Sequence, residues 1–420
     1  MRKLGIVALG AAAALTLAGC ATGGTGGSEE GAEIRVWLVG TDTPDAAREY
    51  LVDTFEEEHP GSTLVIEEQS WDGLVDRLTT SLSGSDSPDV VEVGNTQASA
   101  FTSAGAFLDL TEHYEDLGGD DLLPGFVEAG SYDGKFYAAP LYSGSRLVFY
   151  KKDALAAAGL SVPTTLDEYI ANGKALAAAN PGKSGIWWPG QDWYNALPYI
   201  WENGGEIAVP EGEEWDAQLS SAESVAGLEQ VQDVMTNASA APKDGQETSP
   251  EVGFCDGTSL QLSAPSWVKW SILAPADAEA PGCPDQEANL GVYALPGIDG
   301  GAAQVFAGGS NIGVSAKSAH PDLAIDALKI ILSDEFQTIY GEGGLVPAKL
   351  SLADTLGTDE VAQAIAAAAG NAKLTPASPK WADVEAAGIL QDLFVNIAQG
   401  GDVAALAETA DEEIEAILNS

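Results

Sequence analysis

An α/β chain of two lobes is what the sequence predicts, and three observations predict it. Strand-like and helix-like patterns alternate from Glu33 to Ala104, the order that builds a largely parallel sheet with helices on both faces. At 420 residues the chain exceeds what one core organises, so two domains or more are expected. The stretch 131–155, SYDGKFYAAPLYSGSRLVFYKKDAL, joins a turn, two apolar runs and a short helix, as a segment leaving one lobe for another would.

The elements follow in order. Arg2 and Lys3 precede an apolar run from Leu4 to Leu17 that is too short to span a bilayer, so residues 1–19 read as a signal peptide. Leu17-Ala18-Gly19-Cys20 resembles a bacterial lipobox, which implies cleavage before Cys20 and lipid on its sulfur, enough for stable anchoring when two or three acyl chains are attached. Residues 20–32 are Gly-, Ser- and Thr-rich and read as a lipidated cysteine with a flexible tether. IRVWLVG is a strand, and Asp45 to His59 is a helix with Ala47, Tyr50, Leu51 and Phe55 on one face, ended by Pro60-Gly61. TLVIEEQ and PDVVEVG are further strands, followed by helices over 71–82 and 97–104.

Asp133-Gly134 supplies a turn, and Pro140 marks the following run as an edge or a crossover rather than a continuous strand. RLVFY is a buried strand, ALAAAGL a helix stopped by Gly159, and LDEYIANGKALAAANP a helix capped by Thr164-Thr165. Trp187, Trp188, Trp193, Trp201 and Trp215 put five of the ten tryptophans between 186 and 215. GLEQVQDVM reads as helix, the segment after Cys255 as a turn and a strand, and ANLGVYALPG as a strand. AQVFAGGSNIGVSAKS suggests a strand pair, 321–344 a helix, and 352–418 Ala-rich helices.

Composition narrows the function. The net charge of −46 becomes −48 once Arg2 and Lys3 leave with the signal peptide. So acidic a chain has no basic patch for a phosphate backbone, which excludes nucleic acid as a partner. An anionic membrane surface is equally unfavourable, so lipid alone would hold the chain there. With Cys20 lipidated, Cys255 and Cys283 are an even pair in an oxidising compartment; a disulfide is expected, two separate thiols being the alternative.

Catalytic inventories fail. His59, His113 and His320 stand at helix-boundary signals with no HExxH or paired spacing, so neither a metal nor a cofactor is expected. There is no GxSxG elbow. The segment 180–185, NPGKSG, lacks the first glycine of a phosphate loop, Ala177 standing there, and a helix rather than a strand precedes it.

Aromatic and polar residues recur together instead. A sugar packs its C–H face on an aromatic ring and pairs its hydroxyls with fixed donors and acceptors. Gly40-Thr41-Asp42 and Gly94-Asn95-Thr96-Gln97 follow the first and third strands, at the carboxyl ends where open α/β sheets place ligands. Gln191-Asp192-Trp193-Tyr194-Asn195 lies in the Trp-rich segment, and Ser263-Ala264-Pro265-Ser266-Trp267 closes the strand after Cys255.

The phrase running from Asp133-Gly134-Lys135 through Val148-Phe149-Tyr150-Lys151-Lys152-Asp153 to Asp167-Glu168-Tyr169 resembles the extracellular solute-binding proteins of ABC sugar importers, the maltose-binding-protein-like group, over about residues 33–420. The resemblance implies a type II periplasmic-binding-protein-like fold: two α/β lobes, a multi-crossover hinge and a ligand cleft between them. It divides the chain into an N-lobe of 33–141 with 298–343 and a C-lobe of 142–297 with 344–420, crossing at 138–146, 295–298 and 342–347. By position it nominates Asp42, Asn95, Gln97, Asp192, Tyr194, Trp267, Gly309, Asn311 and Trp381 as ligand contacts, with Trp193 beside them. Trp37, Trp187 and Trp270 are assigned to the core, and Arg146 either clamps a hydroxyl or pairs with an acid. The implied function is a monomeric lipoprotein on the outer face of the cell membrane that captures an oligosaccharide of two to four rings for its permease. A secreted glycoside hydrolase, or a binder of a peptide or polyol, is the alternative.

Overall fold

The computed structural model describes residues 31–420 except 41, 213, 248, 279 and 280. The signal peptide, Cys20 and all but the end of the tether lie outside the described residues. Thirteen strands occur among them: β1 (Glu33–Val39), β2 (Thr63–Gln69), β3 (Val90–Gly94), β4 (Ser131–Tyr132), β5 (Lys135–Phe136), β6 (Ala138–Lys151), β7 (Ala208–Glu211), β8 (Glu214–Ala217), β9 (Gln261–Pro265), β10 (Leu290–Tyr293), β11 (Val305–Val314), β12 (Val346–Pro347) and β13 (Ala372–Lys373). The main sheet runs β10-β6-β11-β3-β1-β2, with β12 and β9 on β6 and β13 on β11. The β1, β2 and β3 strands are mutually parallel, whereas β11 is antiparallel to both β3 and β6.

Alternation along β1 shows why helices cover both faces. Ile34, Val36 and Leu38 pack with helices 45–58 and 321–331, while Trp37 and Val39 pack with helices 74–83 and 95–103, as a period of two requires. A larger core gathers Trp188, Trp193, Tyr199, Trp201 and Trp381 under helices 222–237, 389–398 and 403–418. Caps fix several helix starts. Thr165 accepts the Glu168 amide at 3.2 Å, and Glu168 in turn accepts the Thr164 amide at 2.7 Å, a reciprocal arrangement that satisfies two otherwise orphan donors.

Four expectations change. Pro140 does not break the run, because β6 is one strand of 14 residues. Its missing N–H is tolerated beside a bulge: Ser310 pairs with Tyr142 and Asn311 with Pro140, leaving Leu141 unopposed, and the β12 partner begins only at Tyr142. The 305–314 segment is one bulged strand rather than a pair. The helix expected over 321–344 stops at Ile331 and restarts at Asp334, capped by Ser333, whose hydroxyl accepts the Phe336 amide. Trp270, assigned to the core, is 38% exposed.

The chain passes between the cores at three places that lie side by side. Tyr142 packs in the first core and Leu147 in the second, both on β6; Phe306 packs in the second and Ile312 in the first, both on β11. Ala348 still belongs to the first core, and Leu356 packs on the second. The ladder pairs Gly308 with Gly144, Gly309 with Ser143, and Val346 with Ser143. The passage is therefore a small three-stranded sheet.

Cys255 and Cys283 are joined by a disulfide. Closing a loop of 28 residues constrains the unfolded chain by about 3–4 kcal/mol in the entropic account. Intact-mass alkylation of a protein beginning at residue 31 should find no reactive thiol without reductant, and two after reduction in denaturant. Two labelled thiols in the untreated folded protein would refute the bridge.

Candidate ligand cleft

A cavity of about 450 Å³ opens where the two cores meet. Asp42, at the end of β1, and Asn95, Thr96 and Gln97, at the end of β3, form one wall. Tyr194, Glu247, Pro265 and Trp267 form the other, and Tyr142, Gly144, Arg146, Gly308 and Gly309 line it along the strands that pass between the cores. Trp71 and Phe306 complete the aromatic surface.

Trp267 lies on a floor of glycine. A Cβ added at Gly144 would fall 2.1 Å from its ring, and one at Gly308 3.3 Å, so only hydrogen at position 144 lets the indole lie there. Gly309 adopts a φ of +132°, a conformation glycine alone enters readily. The indole touches both cores.

Polar groups are oriented before any ligand arrives. Asp42 Oδ2 accepts from Trp71 Nε1 and from the Tyr142 hydroxyl, each at 3.0 Å, and burial raises its pKa against these two bonds. Tyr142 stacks on Tyr340, ring centroids 5.3 Å apart, and the Tyr340 and Thr43 hydroxyls are 2.8 Å apart. Asn95 Nδ2 donates to the Ala307 carbonyl at 2.8 Å. Gln97 Oε1 is buried with no partner among the described residues, an acceptor left for a ligand hydroxyl.

Arg146 is 2% exposed and is held in place by its neighbours. Nη1 donates to Asn195 Oδ1 at 3.0 Å and to the Ser263 carbonyl at 3.2 Å; Nη2 reaches Asp192 Oδ1 at 3.4 Å and pairs with Glu247. Its guanidinium sits 5.6 Å from the Tyr194 ring centroid. Of the two readings the sequence allowed, pairing with acids is the one present. Burial and the Glu247 charge raise the Asp192 pKa while Arg146 and the Asn195 bonds pull it down.

Asp42, Asn95, Gln97, Tyr194, Trp267 and Gly309 are thus brought together in the cavity wall. Four other candidates are not in it. Asp192 stands behind the wall and orients Arg146 and Asn195, accepting from Asn195 Nδ2 at 2.6 Å. Trp193 is buried beneath Tyr194, centroids 3.9 Å apart, and against Trp381. Trp381 is 0% exposed and donates Nε1 to Glu385 at 3.1 Å. Asn311 is also fully buried and ties β11 to the Phe126 and Ala138 carbonyls at 2.8 and 3.2 Å. Trp71, Tyr142, Glu247 and Phe306 line the cavity without having been singled out. Gly144 and Gly308 within apolar strand runs were the available signal, since such glycines mark a close approach.

Residues 40–338 match the family described as bacterial extracellular solute-binding protein. The chain belongs to this family. Its members capture solutes outside the cytoplasm, and the chain is a binding protein rather than an enzyme. It is 32% identical over 360 residues to the diacetylchitobiose binding protein DasA of Streptomyces coelicolor, covering 84% of this chain and 82% of the relative. An arabinooligosaccharide-binding protein of Halalkalibacterium halodurans is 24% identical over 71% of this chain and 67% of its own. The fold matches the GacH receptor of Streptomyces glaucescens, solved unliganded and with acarbose, at a TM-score of 0.79 and 21% identity over 93% of this chain and all of that one.

Behind the cleft, Glu92 is fully buried and its pKa is pushed up to about 8 by desolvation, although Oε2 accepts the Val39 amide at 2.7 Å. In the unfolded chain the same group titrates near 4.5. Between those values the folded state keeps a proton the unfolded state has lost, so this contribution to stability is full below about pH 4.5 and fades as pH rises through 8. Glu92→Gln should flatten the fall of unfolding free energy between pH 5 and 8 by up to about 1.4 kcal/mol per pH unit. Urea titrations across that range test it, and an unchanged slope would place the proton elsewhere.

Proposed function

We propose that the protein is the oligosaccharide-capturing component of an ABC importer, anchored through lipid on Cys20 to the outer face of the cell membrane and acting as a monomer that delivers its sugar to the permease. One observation carries the reading: a half-buried Trp267 on a glycine floor, faced by Tyr194, Phe306 and Trp71 and ringed by Asp42, Asn95, Gln97 and Glu247. Flat aromatic surface beside paired acceptors and donors suits a pyranose ring. The DasA relative, named for diacetylchitobiose, makes a β-linked amino-sugar disaccharide the first ligand to try.

Capture proceeds by closure of two lobes; we take the expected division of 33–141 with 298–343 against 142–297 with 344–420, with its second boundary set between Phe306 and Ile312 and its third after Ala348, since Phe306 packs in the second core and Ala348 in the first. A ligand that touches both walls binds the closed form better and shifts the balance toward it, as in periplasmic binding proteins generally. The strands β6, β11 and β12 bend together where the cores meet, so the lobes move as rigid bodies. The closed form is what the permease recognises.

A thermal-shift screen of mono- and oligosaccharides, mannitol and short peptides identifies the ligand, since one present at 100 times its Kd stabilises by about 2.7 kcal/mol. Trp267→Ala should weaken the sugar identified by about 2–4 kcal/mol, with Trp267→Tyr restoring part of the loss; unchanged affinity in a folded Trp267→Ala protein would remove the indole from the site. Labels on Asp72→Cys and Asp244→Cys, exposed positions on opposite rims, should approach each other on saturation with that sugar, which stays intact over hours. A constant label distance argues against closure.

A further inference from the structure

The two walls of the cleft also meet away from the strands that join the cores. Helix 381–387 belongs to the second core through Trp381 and Val384, and helix 95–103 packs on the first sheet through Ala98 and Phe101. The two helices lie against each other. Thr96 donates its hydroxyl to Glu385 Oε2 at 3.0 Å, and Trp381 Nε1 donates to the other carboxylate oxygen at 3.1 Å. The first of these bonds joins one wall to the other. Thr96 lines the cleft and Glu385 does not. Earlier in the chain, Leu374 packs on the cluster that holds Phe101 and Ala129, 3.2 Å from where a Cβ at Gly125 would stand, so apolar contact accompanies the polar one.

Glu385 is half-buried, and its partners among the described residues are these two neutral donors. Helix 95–103 carries no ionisable residue. On its own helix, Asp383 is exposed and pairs with Lys380 at 3.7 Å. Helices 389–398 and 403–418 also pack on it. The former contributes Asp392, and the latter Glu408, Asp411, Glu412, Glu413 and Glu415. Asp411 is engaged by the Leu219 and Ser220 amides and Glu415 by the Ala217 amide. Toward the cleft, burial and then the Glu385 charge raise the Tyr194 pKa. Lys373 is paired with Glu206. With no cation beside it, Glu385 has its pKa lifted by burial to about 7, against the pull of its two hydrogen bonds. Drawn away from Thr96 into water, the same carboxyl titrates near 4.5. A protonated Glu385 keeps both contacts, since its O–H can donate to the Thr96 hydroxyl while the other oxygen still accepts from Trp381. An ionised one keeps them only by holding a charge out of water.

We propose that the Thr96–Glu385 contact is a proton-bearing latch between the two walls: engaging it takes up a proton, so acid favours the closed form and alkali the open one. The proposal rests on the reading of capture as closure and is independent of which solute is bound. Between pH 4.5 and about 7 the engaged form holds a proton that the disengaged form has released. The latch therefore contributes fully below pH 4.5 and is lost as pH rises through 7.

The proton itself is the first probe, applied to the folded protein without sugar. With labels on Asp72→Cys and Asp244→Cys, the mean distance should lengthen from pH 5 to pH 8. Glu385→Gln, neutral and of the same shape, should hold the short distance at every pH. Thr96→Val, which removes the hydroxyl, should lengthen the distance and flatten its response. For the sugar found by the thermal-shift screen, Kd should rise about two- to fivefold per pH unit between 5 and 7, and this slope should vanish in Glu385→Gln. One full proton gives about tenfold per unit, and the exposed part of Glu385 reduces it. Labels that respond to sugar but not to pH, or a pH response that Glu385→Gln leaves unchanged, overturn the latch and leave closure standing. Labels that respond to neither overturn both.

Discussion

The contact between Trp267 and Gly144 is the constraint on which the rest of the cleft depends. At 2.1 Å from where a Cβ would stand, the indole occupies space that any other residue at 144 would fill. That position lies on the strand that passes between the cores and pairs with Gly308 of the strand returning beside it. The same glycines therefore do two things. They let an aromatic plate lie flat where the cores meet, and they thin the sheet at the place where the proposed closure would bend it. Because Trp267 packs against both cores, any relative movement of the cores is felt at the surface a ligand would rest on.

Around that plate the polar groups are held by one another rather than by solvent. Asp42 is gripped by Trp71 and Tyr142, and Tyr142 is in turn stacked on Tyr340. Arg146 is enclosed by Asn195, Asp192 and Glu247, so its charge is spent inside the protein. A buried cation left with one partner removed would be costly, which explains why the acids and the amide come as a set. The wall offers a ligand oriented hydroxyl partners and no free positive charge from Arg146. Such preorganisation spares a ligand the cost of ordering the side chains.

The rules readable along the chain were local ones. Alternation in β1, TLVIEEQ as β2, the capping box at Thr165 and the turn at Asp133-Gly134, with φ of 50° and 72°, all follow from short-range preferences. The strand-end rule placed Asp42, Asn95 and Gln97 in the cleft, because the carboxyl ends of parallel strands converge by topology. Whether a tryptophan faces a ligand or a core was not readable. Trp267 and Trp381 occur in similar polar company along the chain, yet one is half-buried in the cleft and the other is 0% exposed.

What the sequence determined by itself, then, was the alternating α/β class, the strongly acidic composition, the paired cysteines and the phrases that resemble sugar-binding proteins. The tertiary structure decided which side chains meet. Tyr142, Gly144 and Arg146 are alternate residues on one face of one long strand, Glu247 comes from a loop about 100 residues later, and Phe306 from a strand that returns antiparallel. Their meeting depends on the register of β6 against β9 and β11, fixed by packing summed over two cores, and no window of local sequence contains that sum.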